Sequence, residues 1–162
     1  MPDVKEVAEY MKRHGLTLVT AESCTAGLIA SRLAEVPGAG QLLDCAFVVY
    51  TPGAKQRCLG VSGETIERCN LTSEAVAREM ANGAIERGDA NVAIANTGVA
   101  DDTDPDIPAG TQCFAWIFRG ADGNLSVHTG TSRFEGDRNS IREQAADFAL
   151  GRLPALHGGD RT

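Results

Sequence analysis

The chain has 162 residues, 43% hydrophobic and 23% charged, a balance that suits one globular domain and excludes a disordered segment. A net charge of −7, with no run of Lys or Arg, argues against nucleic acid and anionic membrane as partners. Met1 to Tyr10 is too polar for a secretory signal, no apolar run reaches membrane-spanning length, and the five scattered cysteines suggest neither a disulfide framework nor a metal site, so a cytoplasmic single domain over 1–162 is expected.

In chain order, Val4, Val7, Ala8 and Met11 recur at helical spacing behind Asp3, and Gly15 stops them, which predicts a helix over 4–14. Leu16 to Ala21 reads as a short strand, Glu22 to Thr25 as a turn, and the stripe of Ile29, Leu33 and Val36 predicts a helix from Ala26 to Ala34. Pro37 to Gly40 breaks it, and the apolar run Leu42 to Tyr50 predicts a buried second strand. A β-α-β unit makes these strands parallel, so Ser23 and Tyr50, at their C-terminal ends, share one edge of the sheet. Lys55 follows in the connection beyond that strand. Thr72 is read as the N-cap of a helix through Arg87 with Val76, Met80, Ala84 and Ile85 inward, and Asn91 to Asn96 as a third parallel strand.

The linker from Val99 to Gly110 carries no helical pattern, so the strand Thr111 to Phe118 is expected to run back antiparallel. Ala121-Asp122-Gly123-Asn124 makes a hairpin turn, Leu125 to Ser132 returns, and Glu135 to Arg138 opens a last helix with Ile141, Ala145, Phe148 and Ala149 inward. Residues about 155–162 are expected to be a disordered tail. The sum is a three-layer α/β/α fold around a mixed, mostly parallel five-stranded sheet.

Strand direction gathers Ser23, Tyr50, Lys55, Thr97, Gly98, Gly110, Thr111 and Arg138 on one rim, where ligands of open α/β sheets bind. Ser23 sits where a strand turns into a helix, so its hydroxyl projects while the N–H groups of Cys24 and Thr25 point at the same space as an oxyanion hole; a helix cap is the alternative. A serine needs a base, and Lys55 serves only if its pKa falls from about 10.4 by roughly three units; otherwise it is a solvated surface residue. Cys24 is a second candidate nucleophile. Arg138 and Arg142, one turn apart, suit an anionic ligand or surface ion pairs with Asp137 and Glu143. Asp101, Asp102, Asp104 and Asp106 form an acidic loop without an EF-hand pattern.

Thr20-Ala21-Glu22-Ser23-Cys24-Thr25-Ala26-Gly27 followed by Val49-Tyr50-Thr51-Pro52-Gly53-Ala54-Lys55 resembles the CinA C-terminal domain family. The likeness continues through Leu59-Gly60-Val61, Leu71-Thr72-Ser73-Glu74, Asn96 to Ala100, Pro108 to Thr111 and Phe134 to Arg138, nearly the whole chain. It implies an amidohydrolase that deamidates nicotinamide mononucleotide to nicotinic acid mononucleotide and ammonia, without metal or organic cofactor, acting on a small-molecule nucleotide or amide. It assigns Ser23 as nucleophile, Lys55 as base and Tyr50 as a supporting hydroxyl, and leaves Arg138, Thr97, Gly98 and Thr111 to orient the sugar phosphate. A homo-oligomer in the stand-alone form of the family is also implied. The chain departs from the family at Thr51 and Pro52, at Ala26, and at Asp101-Asp102-Thr103-Asp104, which replaces a glycine-rich stretch and sets carboxylates where a phosphate is expected. A non-catalytic nucleotide-sensing or partner-binding module and an amidohydrolase for a non-phosphorylated amide are the alternative readings.

Overall fold

The computed structural model describes residues 1–159. Asp3 accepts from the Glu6 N–H while the Glu6 carboxylate accepts from the Asp3 N–H, a capping box that starts α1 (Val4–His14). Gly15, left-handed at φ 63°, closes it. There follow β1 (Leu18–Glu22), α2 (Leu28–Ala34), β2 (Leu43–Val48), α3 (Pro52–Leu59), α4 (Gly63–Cys69), α5 (Glu74–Arg87), β3 (Val92–Gly98), β4 (Thr111–Arg119), β5 (Leu125–Arg133), α6 (Arg138–Gly151) and α7 (Leu153–His157).

The five strands form one sheet in the order β2-β1-β3-β4-β5. β1 pairs parallel with β2 and β3, whereas β4 runs antiparallel to both of its neighbours. The alternation of side chains along each strand divides the core in two. Leu18, Ile94, Phe114 and Trp116 pack with α1, α2, α6 and α7 on one face. Val19, Ala21, Ala93, Ala95, Ala115 and Ile117 pack on the other with Leu59, Val76, Ala77, Met80 and Ala84 of α3 and α5. The expected three-layer α/β fold and mixed five-stranded sheet are both present.

The differences lie in the short elements. The sequence predicts no helix between Thr51 and Leu71, yet α3 and α4 fill most of that span. Only Lys55 and Leu59 of α3 and only Thr65 of α4 are buried, so neither helix writes an apolar stripe. The start signal of α3 is nonetheless there: Thr51 accepts from the Ala54 N–H, and Pro52 occupies the first turn. Ser73, not Thr72, caps α5, its hydroxyl accepting from the Val76 N–H. The expected disordered tail is instead ordered through α7, where Leu153 and Leu156 are buried and the Tyr10 hydroxyl lies 2.8 Å from His157 Nδ1. Asp160 to Thr162 of that expectation lie outside the described residues.

Candidate active site

Ser23 follows the last residue of β1, and its own N–H is held by the Asn96 carbonyl of β3. By strand alternation its side chain points to the same face as Val19 and Ala21, the face covered by α3 and α5. Lys55 sits in the first turns of α3, and helical side chains lean back towards the N-terminus of their own helix. The lysine is thereby aimed at the end of the preceding strand. Its Nζ lies 2.8 Å from Ser23 Oγ, 2.9 Å from the Val49 carbonyl and 3.0 Å from the Tyr50 carbonyl.

Lys55 is completely buried, Ser23 nearly so, and no salt bridge among the described residues involves the lysine. Burial without a carboxylate partner disfavours the charged amine, and the pKa falls from its ordinary 10.5 to about 8. Hydrogen-bond accounting allows both forms. As an ammonium, Nζ donates to all three oxygens; as an amine, it donates to the two carbonyls and takes the Ser23 proton on its lone pair.

The turn after Ser23 is built by polar groups on the opposite face. The fully buried Glu22 carboxylate accepts from the hydroxyls of Thr20 and Thr25 and from the N–H groups of Gly27, Ile29 and Ala30. The positive end of α2 is therefore spent on Glu22. Asn96 takes the Thr25 N–H at 3.1 Å and donates to Gln112, whose own amide reaches Cys24 Sγ. Arg142 Nε donates to the Cys24 carbonyl at 2.9 Å and its Nη2 to that of Thr25. Ala26, with φ 47°, and Gly27, with φ 97°, both take left-handed backbone, a conformation that favours glycine.

These contacts revise the site expected from sequence. The Thr25 N–H is occupied, which leaves the Cys24 N–H, without a hydrogen-bond partner among the described residues, as the donor beside Ser23. The Cys24 thiol packs with Ala100 and Ile141, and burial raises its pKa, against a nucleophilic role. Tyr50 enters through its carbonyl; its half-exposed hydroxyl accepts from Arg138 Nη2 at 2.9 Å. The Thr97 hydroxyl donates to the Leu71 carbonyl and is not presented to the rim. Gly98 and Gly110 are packing positions, since a Cβ would strike Gln112 on the first and the Phe134 carbonyl on the second, and Thr111 pairs with Arg133 in the sheet. Arg142 braces the Ser23 turn through the Cys24 and Thr25 carbonyls. Arg138 instead pairs with Asp101 as well as Tyr50, not with Asp137 or Glu143.

Sequence reasoning passed over Glu22, Asn96 and Gln112. Their signal is slight: polar residues at inward positions of three adjacent strands, recognisable as one network only when the strands are in register. Among the described residues no group of three or more His, Cys, Asp or Glu is placed to hold a metal ion. No helix among them is long and apolar enough to cross a membrane. Two clefts, of about 540 and 820 Å³, lie away from the Ser23 and Lys55 pair, one against α1 and α6 and one against β5 and α7.

An open α/β sheet with a buried lysine meeting a serine at its strand ends defines the general class. The particular family follows from comparison: the CinA C-terminal domain model matches residues 3–156, and the chain belongs to that family. It is 40% identical over 147 residues to the nicotinamide-nucleotide amidohydrolase PncC of Enterobacter agglomerans, covering 90% of this chain and 87% of that one. A CinA-like protein of Chlorobium limicola is 37% identical over 146 residues, 89% of this chain and 34% of its own. The chain spans about a third of the length of the first curated relatives it matches. The crystal structure of competence damage-inducible protein A (ComA) from Klebsiella pneumoniae superposes with a TM-score of 0.87 at 31% identity, covering 99% of this chain and 100% of that one.

Proposed function

We propose that the chain is an amidohydrolase that releases ammonia from the carboxamide of a nicotinamide nucleotide, with Ser23 as nucleophile and Lys55 as its base. The observation that carries this reading is the 2.8 Å contact between Nζ and Oγ inside a buried, carbonyl-lined site that lowers the lysine pKa. The substrate class rests on the name of the PncC relative, whose length the chain largely covers.

Neutral Lys55 takes the Ser23 proton as Oγ attacks the carboxamide carbon, and the Cys24 N–H faces the developing oxyanion. Collapse of the tetrahedral species breaks the C–N bond while the Lys55 ammonium returns its proton to the departing nitrogen, which leaves as ammonia. Water, deprotonated by the same amine, then attacks the Ser23 ester, the C–Oγ bond breaks as the Lys55 ammonium returns the proton to Oγ, and the carboxylate is freed. The Val49 and Tyr50 carbonyls hold Nζ in place through both half-reactions.

The test is ammonia release from nicotinamide mononucleotide by the purified chain, by Ser23→Ala and by Lys55→Met. Both substitutions are expected to lower kcat at least about a thousandfold with the fold intact by circular dichroism. A rate within tenfold of wild type in either variant overturns the assignment.

A further inference from the structure

The cations near Ser23 are not equally available. Lys55 is buried and committed to the serine, and Arg142 spends Nε and Nη2 on the carbonyls of Cys24 and Thr25 and Nη1 on Asn139. Arg138 is the half-exposed guanidinium at the same edge, linked to the catalytic pair through Tyr50, whose carbonyl holds Lys55 Nζ and whose hydroxyl meets Arg138 Nη2. Its Nη1 is bound to the Asp101 carboxylate.

Asp101 is held there by its neighbours. Ala100 packs with Cys24 and Ile141, and Val99 is fixed to the Thr111 carbonyl and the Gly110 N–H. The backbone leading to Asp101 is thus fixed beside the turn that carries Ser23, and its half-exposed carboxylate bears on the Cys24 thiol together with Arg138 and Arg142. A dianionic phosphate approaching Arg138 must displace that carboxylate or sit next to it, whereas an uncharged 5′-hydroxyl meets neither penalty.

From this arrangement, and resting on the amidohydrolase reading, we infer that Asp101 is a specificity-determining residue: an internal anion that occupies Arg138 and reduces the contribution of the substrate phosphate. The substrate class of this chain then extends to N-ribosyl nicotinamides without a phosphate, handled on near-equal terms with the nucleotide.

The experiment compares nicotinamide mononucleotide with nicotinamide riboside in two ways: KM for ammonia release by the active chain, and calorimetric Kd on the Ser23→Ala chain. Each is measured with Asp101, Asp101→Asn and Asp101→Glu. The riboside-to-nucleotide ratio of KM, and of Kd, is expected to rise about tenfold in Asp101→Asn and to stay near wild type in Asp101→Glu. A ratio that does not move in Asp101→Asn, or that falls, overturns the inference, as does binding of neither ligand. Absence of ammonia release from both substrates removes the activity, and the Kd ratio then still decides the role of Asp101.

Discussion

At the scale of single residues, the proposed chemistry depends on one amine held in an environment that resists its charge. Lys55 must be neutral to accept the Ser23 proton, and with a pKa of about 8 the neutral form is a minority at pH 7. The expected kcat/KM for amide hydrolysis therefore rises close to tenfold per pH unit below neutrality and levels off above about pH 8. A profile flat between pH 6 and 9 would remove Lys55 as the base. The same depression acts on stability. Because the folded pKa lies below the ordinary 10.5, the unfolded chain holds more protons between pH 8 and 10.5. The cost is present in full below pH 8 and is relieved as pH rises through that window. Relative to Lys55→Met, the wild type should gain about 2 kcal/mol of unfolding free energy between pH 7.5 and 10.5, a figure discounted for solvent at the mouth of the site. Denaturant titrations at the two pH values measure it, and equal changes in both proteins would contradict it.

At the scale of elements, the position of Lys55 depends on how closely α3 lies against α5. Gly83 is in the interior of α5, where glycine costs helix stability, and its reason is steric: a Cβ there would collide with the Leu59 carbonyl at the end of α3. Gly83→Ala should lift α3 from α5, destabilise the chain by about 2 kcal/mol and lower kcat more than it raises KM, since the displaced element carries the proposed base. Denaturant midpoints and steady-state kinetics report the two effects. A variant as stable and active as wild type would mean that the helices separate without disturbing Lys55. The turn between β1 and α2 is positioned differently, by the Glu22 carboxylate inside it and the Arg142 guanidinium outside it. The two halves of the pair are thus set by separate devices, a close helix contact for the lysine and a buried polar clamp for the serine.

At the scale of the whole molecule, one sheet serves two cores, and its central strands contribute side chains to both. Trp116, the single tryptophan, is buried on the α1 and α6 side, where its indole N–H donates to the Ala149 carbonyl, whereas Ser23 and Lys55 meet on the α3 and α5 side. Because both layers rest on the same backbone ladder, neither core can melt without exposing the reverse of the other's strands. Tryptophan fluorescence and far-ultraviolet circular dichroism should report one coincident unfolding transition. Two separated midpoints would show that the layers unfold independently.

Long, regularly patterned segments were legible without coordinates. The stripe of Val7, Ala8 and Met11 and the hairpin at Gly123 depend on local periodicity or turn chemistry and appear close to where the sequence predicts them. The second strand, expected to be buried, is instead the edge strand β2, its residues alternating half-buried and exposed. The pairing of Ser23 with Lys55 was suggested by motif resemblance and edge geometry, not by a local pattern. Helix α3 was hidden because its principal inward residue is a lysine, which reads as surface until the carbonyls of Val49 and Tyr50 are seen to receive it. The loss of the Thr25 N–H to Asn96 and the capture of Arg138 by Asp101 join residues far apart in the chain, and the Glu22 clamp, though local, forms around an irregular turn that no periodic pattern marks. Composition and periodicity thus determined the fold class, the strands and the long helices, and the sheet order came only with the tertiary structure. Which polar atoms are free to act was decided only by folding, because a hydrogen-bonding group's availability depends on every neighbour that reaches it first.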